Sequence, residues 1–179
     1  MEHWDPSAPK EGEQAPDLTL LDEAGKPLQL SQLARGGPVL LLFFAGVEDP
    51  RGRSLLRDYR DVTLSMQLLG VKLYGVSRSE PSANSFLRME MGMGFPLLAN
   101  PDAAEIRRFG MDDAVGTFLL DRRLRVVQRG QDERAAPAGI LRFLRRGGLR
   151  EKKPTLVERV ANLFKSVQHG LHPRKPLTR

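Results

Sequence analysis

Residues 39–54 read VLLLFFAGVEDPRGRS and join an unbroken apolar run to a signal for the start of a helix. The run covers residues 39–44 and contains no alternating polar residue, which is typical of a strand buried on both faces of a parallel or mixed sheet. Asp49 and Pro50 follow, and these residue types are favoured at the N-cap and the first position of a helix. The stretch therefore predicts a central strand that a short loop joins to a helix.

The flanking residues extend this pattern into alternating strands and helices. Apolar residues recur at helical spacing from Leu55 to Leu69, and Gly70 ends that helix. Two alternating stretches on either side of residues 22–25 predict a β-hairpin before the central strand. Further strands are predicted over 71–76, 95–98, 117–120 and 124–128, and further helices over 81–91, 101–109 and 136–146. The chain is therefore predicted to be an α/β protein with layered helices and a mixed sheet.

Composition excludes several kinds of catalytic site. A length of 179 residues favours one domain with a single core. The chain has no cysteine, which excludes thiolate nucleophiles, disulfides and cysteine-ligated metal clusters. Its three histidines are His3, His169 and His172, so the predicted α/β part has no Ser-His-Asp or Cys-His arrangement either. We predict no metal site and no cofactor.

Charge is distributed unevenly along the chain. Residues 1–130 carry 16 basic and 18 acidic side chains, whereas residues 131–179 carry 12 basic and 4 acidic ones. The overall net charge of +6 therefore comes from the C-terminal quarter. Any electrostatic attraction to nucleic acid or another anionic polymer is expected to be a property of this basic tail.

The sequence suggests three segments. Residues 1–10 are predicted to be a flexible leader, 11–147 the α/β domain, and 148–179 a basic extension. Apolar residues at helical spacing in the extension predict an amphipathic interaction helix with the stripe Leu156, Val160, Phe164 and Val167. No apolar stretch approaches the roughly 18–20 residues that span a bilayer, and the N-terminus is not a secretory signal. We expect a cytoplasmic protein.

Six phrases of the sequence resemble the peroxiredoxins, particularly the bacterioferritin-comigratory type, and occur in the order found there. They are EGEQAPDLTLLDEAGKPLQLSQL, VLLLFFAGVEDP, YRD, VKLYGVSRSEPSANSF, FPLLANPDAAEIRRFGM and GTFLLD. The likeness covers roughly residues 11–130. It implies a thioredoxin-like fold, with a central mixed sheet flanked by helices and an extra N-terminal hairpin. It also implies that relatives of this chain are thiol peroxidases.

The reactive positions of that family are changed in this chain. In the family, a Pro-x-x-x-Thr/Ser-x-x-Cys phrase follows the apolar strand, and its cysteine attacks the peroxide. An alignment without gaps places this phrase on Ala45, Asp49 and Gly52. The family arginine that steers the thiolate falls on Val115, and a frequent resolving cysteine falls on Arg57. The resemblance therefore implies that Ala45, Asp49, Gly52 and Val115 are four vestigial active-site positions and that no catalytic residue remains.

Two interpretations of the turn around Asp49 remain open. Asp49 and Pro50 can simply start the helix, because a helix N-terminus has unpaired N–H groups that a carboxylate satisfies. Alternatively, Arg51, Gly52 and Arg53 can form a small-anion site from backbone donors and two cations.

The sequence predicts a catalytically degenerate peroxiredoxin-like protein that keeps the fold and has lost the thiol peroxidase activity. Our first hypothesis is a non-enzymatic interaction or regulatory protein that binds a protein partner or a second copy of itself. One alternative is an antioxidant or oxidoreductase-related protein that uses a partner's thiol or a borrowed cofactor. The other alternative is an anionic-polymer binder, for example of nucleic acid, acting through the basic tail.

Overall fold

The computed structural model describes residues 4–112 and 114–149. It shows a seven-stranded mixed sheet with helices on both faces. In chain order the elements are β1 (Thr19–Leu21), β2 (Pro27–Gln29), α1 (Leu30–Ala34), β3 (Val39–Phe43), α2 (Pro50–Leu68), β4 (Lys72–Ser77), α3 (Pro81–Met91), β5 (Leu97–Ala99), α4 (Ala104–Arg107), β6 (Gly116–Leu120), β7 (Val126–Gln131) and α5 (Pro137–Arg145). A 3-10 turn, Asp132–Ala135, precedes α5. The predicted α/β class is confirmed.

Strand β3 lies inside the sheet, whose order is β2-β1-β5-β4-β3-β6-β7. It pairs in parallel with β4 and antiparallel with β6. All of its residues are buried, as an unbroken apolar run requires when helices cover both faces. The prediction of a buried central strand over these residues is therefore confirmed.

Successive residues of β3 and of the loop after it point to opposite faces and so divide the core into two clusters. One cluster packs against α2, α3 and α5 and includes Leu40, Leu42 and Phe44. The other packs against α1 and α4 and includes Val39, Leu41 and Phe43. Each face of the strand thus holds helices in place on its own side of the sheet.

Helix α2 is held on the first face by the buried side of an amphipathic sequence. Leu55, Leu56 and Tyr59 are buried on that side. The Tyr59 hydroxyl donates a hydrogen bond to the Ala135 carbonyl at 2.8 Å, and burial raises the pKa of Tyr59 above its ordinary value. This contact ties α2 to the turn before α5.

The N-terminal residues contact the sheet where the sequence suggests a flexible leader. Trp4 packs edge-on against Phe118, with ring centroids 5.4 Å apart. The Arg129 guanidinium lies 4.3 Å from the centre of the Trp4 ring and donates to the carbonyls of Ala8 and Pro9. Ala8 is buried. The Trp4 ring and the Arg129 guanidinium thus join this segment to the sheet, while the flexible leader over residues 1–10 stays a prediction.

The compact unit that contains the sheet ends at Leu149, which packs against the first core cluster. The predicted extension over 148–179 and its amphipathic helix lie outside the described residues, apart from Gly148 and Leu149. In the part of the chain that the structure describes, no helix is long and apolar enough to cross a membrane.

Candidate functional site

The loop from β3 to α2 is held to neighbouring elements by backbone hydrogen bonds. The Ala45 carbonyl accepts a bond from Arg78 N at 3.4 Å, and Val47 N donates to Ser79 Oγ at 3.0 Å. Asp49 N donates to the Gly46 carbonyl at 3.0 Å, which closes a turn just before the helix. The three aligned positions Ala45, Asp49 and Gly52 therefore lie together in this loop and the first turn of α2.

Asp49 is the N-cap of α2. Its backbone is extended, and its Oδ1 accepts the N–H of Arg51 at 3.1 Å while Pro50 occupies the first helical position. Its Oδ2 also accepts a longer bond from Ala45 N at 3.4 Å. The carboxylate thus satisfies donors on both sides of the turn, and this geometry favours the interpretation of Asp49 as a helix cap.

Gly52 lies against the last residue of the apolar run. A Cβ placed on Gly52 would be 2.6 Å from the Cβ of Phe44 and 3.1 Å from Asp49 Oδ2. Real side chains do not approach so closely, so the space that a side chain at position 52 would need is already filled. The Phe44 side chain is itself almost fully buried. The position aligned with the peroxidatic cysteine therefore has neither a nucleophile nor room for one.

Val115 lies near the end of β3, because β6 pairs antiparallel with β3. Gly116 pairs with Phe43, so Val115 comes directly before the pairing that ends β3. Val115 is 5% exposed and belongs to the same core cluster as Phe44. The position aligned with the family's steering arginine is thus filled by an apolar side chain that is buried in the apolar core.

The two arginines of the suggested anion site differ in their surroundings. Arg53 forms an ion pair with Glu90 at 2.6 Å and donates to the Val47 carbonyl at 3.3 Å. The hydrogen bond to Glu90 raises the pKa of Arg53. The Arg51 side chain is exposed, and its backbone N–H already donates to Asp49. Arg53 N donates to the Asp49 carbonyl at 2.9 Å, and the Arg51 guanidinium lies 4.0 Å from the Asp49 carboxylate. The structure therefore brings Arg51, Gly52 and Arg53 together, but two of the backbone donors and both cations already have partners.

Other candidate positions lie on the outer surface of α2. Arg57, which aligns with the resolving cysteine, is exposed. Ser54, the hydroxyl side chain nearest to Gly52 in the sequence, is exposed as well. Within residues 4–112 and 114–149, no group of three or more metal-ligating side chains is gathered in one place. The site is thus a capped helix N-terminus packed on an aromatic ring, with no activated nucleophile among its side chains.

The sequence patterns missed the residue that fills the site. Phe44 is the last residue of an apolar run, and the sequence predicts only that it is buried. Its contact with Gly52 depends on how closely α2 approaches the end of β3. A glycine three residues after an N-cap was the available signal, because glycine within a helix often marks a close approach of backbone and side chain.

Comparison with known proteins gives consistent results. The AhpC/TSA family model matches residues 12–129. A Mycobacterium tuberculosis protein named as a peroxiredoxin is 29% identical over 99 residues, which is 55% of this chain and 62% of that protein. The bcp peroxiredoxin of Haemophilus influenzae is 30% identical over 100 residues, which is 56% of this chain and 64% of that protein. The matches thus span less than two thirds of each of these relatives.

Solved structures share the fold. The peroxidoxin BcpB of Mycobacterium tuberculosis superimposes with a TM-score of 0.71 at 23% identity, over 77% of this chain and 97% of that chain. A reduced Prx3 of Vibrio vulnificus in complex with hydrogen peroxide gives a TM-score of 0.69 at 19% identity, over 75% of this chain and 98% of that chain. These similarities confirm the thioredoxin-like architecture with its N-terminal hairpin.

We predict that Gly52→Ala destabilises the protein although alanine favours helices. The added Cβ must displace Phe44, and overpacking of this kind costs about 1–3 kcal/mol. The matched control is Gly139→Ala, because Gly139 also follows a Pro-x pair at the start of a helix. A Cβ on Gly139 meets only Gln128 Nε2, at 3.8 Å, so this change should stabilise by about 0.4–1 kcal/mol. Urea unfolding of both variants measures the difference, and equal shifts would contradict the packing argument.

We predict that Asp49→Ala lowers the free energy of unfolding by about 1 kcal/mol, because the first turn of α2 loses its side-chain acceptor. Asp49→Asn keeps an acceptor oxygen and should stay within a few tenths of a kcal/mol of the wild type. Chemical denaturation with and without sulfate tests both interpretations of this turn. Unchanged stability of Asp49→Ala, or stabilisation by dilute sulfate that Arg51→Ala abolishes, would favour the anion site over the cap, because concentrated sulfate stabilises folded proteins in general.

Proposed function

Because the chain belongs to the AhpC/TSA family, we propose that it is a catalytically degenerate peroxiredoxin-like protein that acts by binding rather than by thiol chemistry. The observation that carries this proposal is the contact between Gly52 and Phe44 at the place of the peroxidatic cysteine. The peroxidase activity suggested by the relatives' names does not transfer to a chain without a cysteine.

The proposal follows from what reduction of a peroxide by a thiol requires. A thiolate attacks one peroxide oxygen, and the enzyme stabilises that thiolate with a helix N-terminus and a nearby cation. In this chain the helix N-terminus is occupied by the Asp49 carboxylate. The cation's position holds Val115, which is buried among apolar side chains. The nucleophile, its activation and the cation are therefore all absent from the aligned positions.

The surface of α2 and α3 supports a binding role. Four large apolar side chains on these helices are well exposed: Leu64, Leu68, Phe86 and Met89. Leu64 and Leu68 lie one helical turn apart and share a face of α2. Neighbouring exposed apolar side chains such as this pair support a protein interaction surface on α2. We propose a protein partner or a second copy of this chain as the binding target.

We predict that the purified protein does not consume hydrogen peroxide or an organic hydroperoxide with a thiol reductant, because it has no thiolate to oxidise. A metal chelator is included, and a cysteine-bearing relative serves as the positive control. Gly52→Cys should also remain inactive, because Phe44 crowds the side chain and Asp49 raises the pKa of a thiol placed beside it. Turnover by the wild type at the relative's rate would overturn the proposal, and efficient rescue by Gly52→Cys would show that the site is intact.

We predict that a chain ending at Leu149 folds with an almost unchanged melting midpoint but loses self-association or partner binding. Among the described residues, the sheet and both core clusters lie within residues 4–149. The extension is proposed to act as an attachment segment through its apolar stripe. Light scattering and thermal unfolding of the full and shortened chains test this. A shortened chain that does not fold would mean that the extension is part of the core.

A further inference from the structure

An open groove lies beside the edge strand β7 and the start of α5, and none of its lining residues belongs to the β3–α2 loop. It has a volume of about 520 Å³ and is bounded by Trp4 of the N-terminal segment, Gln128 and Arg129 of β7, and Arg142 of α5. A second depression of about 450 Å³ continues along α5 and shares Ala138 and Arg142 with the first. Volumes of this size suit small organic ligands.

The charged residues that line the groove are Glu11, Arg129, Glu133, Arg134 and Arg142. Of the three guanidinium groups, that of Arg142 has no partner among the described residues. Arg129 is engaged by the Ala8 and Pro9 carbonyls and by the Trp4 ring. Glu11 accepts the backbone N–H of Arg129 at 3.3 Å. The Arg142 side chain is exposed and makes no hydrogen bond or ion pair with the residues that the structure describes, and the same holds for the side chains of Arg145 and Arg146 in the adjoining depression.

An arginine without a partner suits a phosphate group in particular. Its planar guanidinium can donate two parallel hydrogen bonds to a pair of phosphate oxygens. Arg142 lies one helical turn after Ala138, so the small Ala138 side chain leaves the guanidinium accessible from the groove.

The opposite wall of the groove suits a flat ring. Trp4 is half-buried there, held by its contact with Phe118 and by the guanidinium of Arg129. The floor near α5 is formed by the small residues Ala136, Ala138 and Gly139.

We propose that this groove binds a nucleoside monophosphate or a similar phosphate ester that carries an aromatic ring. The ring lies along the Trp4 wall, and the phosphate pairs with Arg142. The site is separate from the β3–α2 loop and involves no thiol, so it does not depend on the loss of peroxidase activity.

The single tryptophan of the chain makes the test direct, because Trp4 forms part of the groove. The full-length protein is titrated with adenosine monophosphate, adenosine and inorganic phosphate while tryptophan emission is recorded. Adenosine monophosphate should change the emission saturably, with an affinity at least about tenfold above either fragment, since only the whole molecule makes both contacts. No saturable change would overturn the proposal. Equal binding by phosphate alone, or binding only by a single-stranded oligonucleotide, would also overturn it.

Two variants locate the binding. Arg142→Ala should weaken adenosine monophosphate binding by about tenfold, because it removes a charge-assisted hydrogen-bond donor. Arg122→Ala, an exposed arginine in the turn after β6, removes the same charge outside the groove and should leave the affinity within about twofold. Thermal unfolding checks that both variants are folded. Equal losses for the two variants would show a nonspecific charge effect and overturn the assigned groove.

Discussion

The close contact of Gly52 with Phe44 is the constraint on which the candidate site depends. Phe44 follows a strand whose residues are fixed on both faces by two core clusters, so its side chain has little freedom to move away. Helix α2 can begin against that side chain only where position 52 carries no Cβ. The direction of the β3–α2 loop and the location of its cap are consequences of that approach.

Much of the fold could be predicted because its signals are local. The apolar run of β3, the Asp-Pro start of α2 and the glycine that ends it each act within a few residues, and the observed bounds agree closely with the predicted ones. The five-residue helix α1 was missed because so short a segment has no full period of apolar residues. The contacts of Trp4 could not be predicted for another reason. Trp4 is held by Phe118 and Arg129, which lie more than a hundred residues away in the sequence.

The features of the candidate site likewise fall into those that local sequence predicts and those that depend on packing between distant residues. The changed identities at positions 45, 49, 52 and 115 could be found by resemblance, and the cap at Asp49 by residue type. The ion pair between Arg53 and Glu90 could not, because it joins α2 to α3 across 37 positions of sequence. The filling of the site by Phe44 also depends on helix approach, which no sequence period reports. The residue types at the site were therefore predictable, while the packing of Phe44 against Gly52 was not.

The changes at the aligned positions make physical sense as a set. A thiolate and a steering arginine in a partly buried site compensate each other's charge, and removal of one partner leaves an uncompensated charge that destabilises a protein by about 3–5 kcal/mol. A chain without the cysteine is therefore more stable if the arginine position is apolar, as Val115 is. Asp49 does not need such a partner. Its side chain is 12% exposed, and it accepts hydrogen bonds from two backbone amides. The Asp49 charge thus remains at the helix N-terminus, where the backbone amides and the Arg51 guanidinium, 4.0 Å away, compensate it.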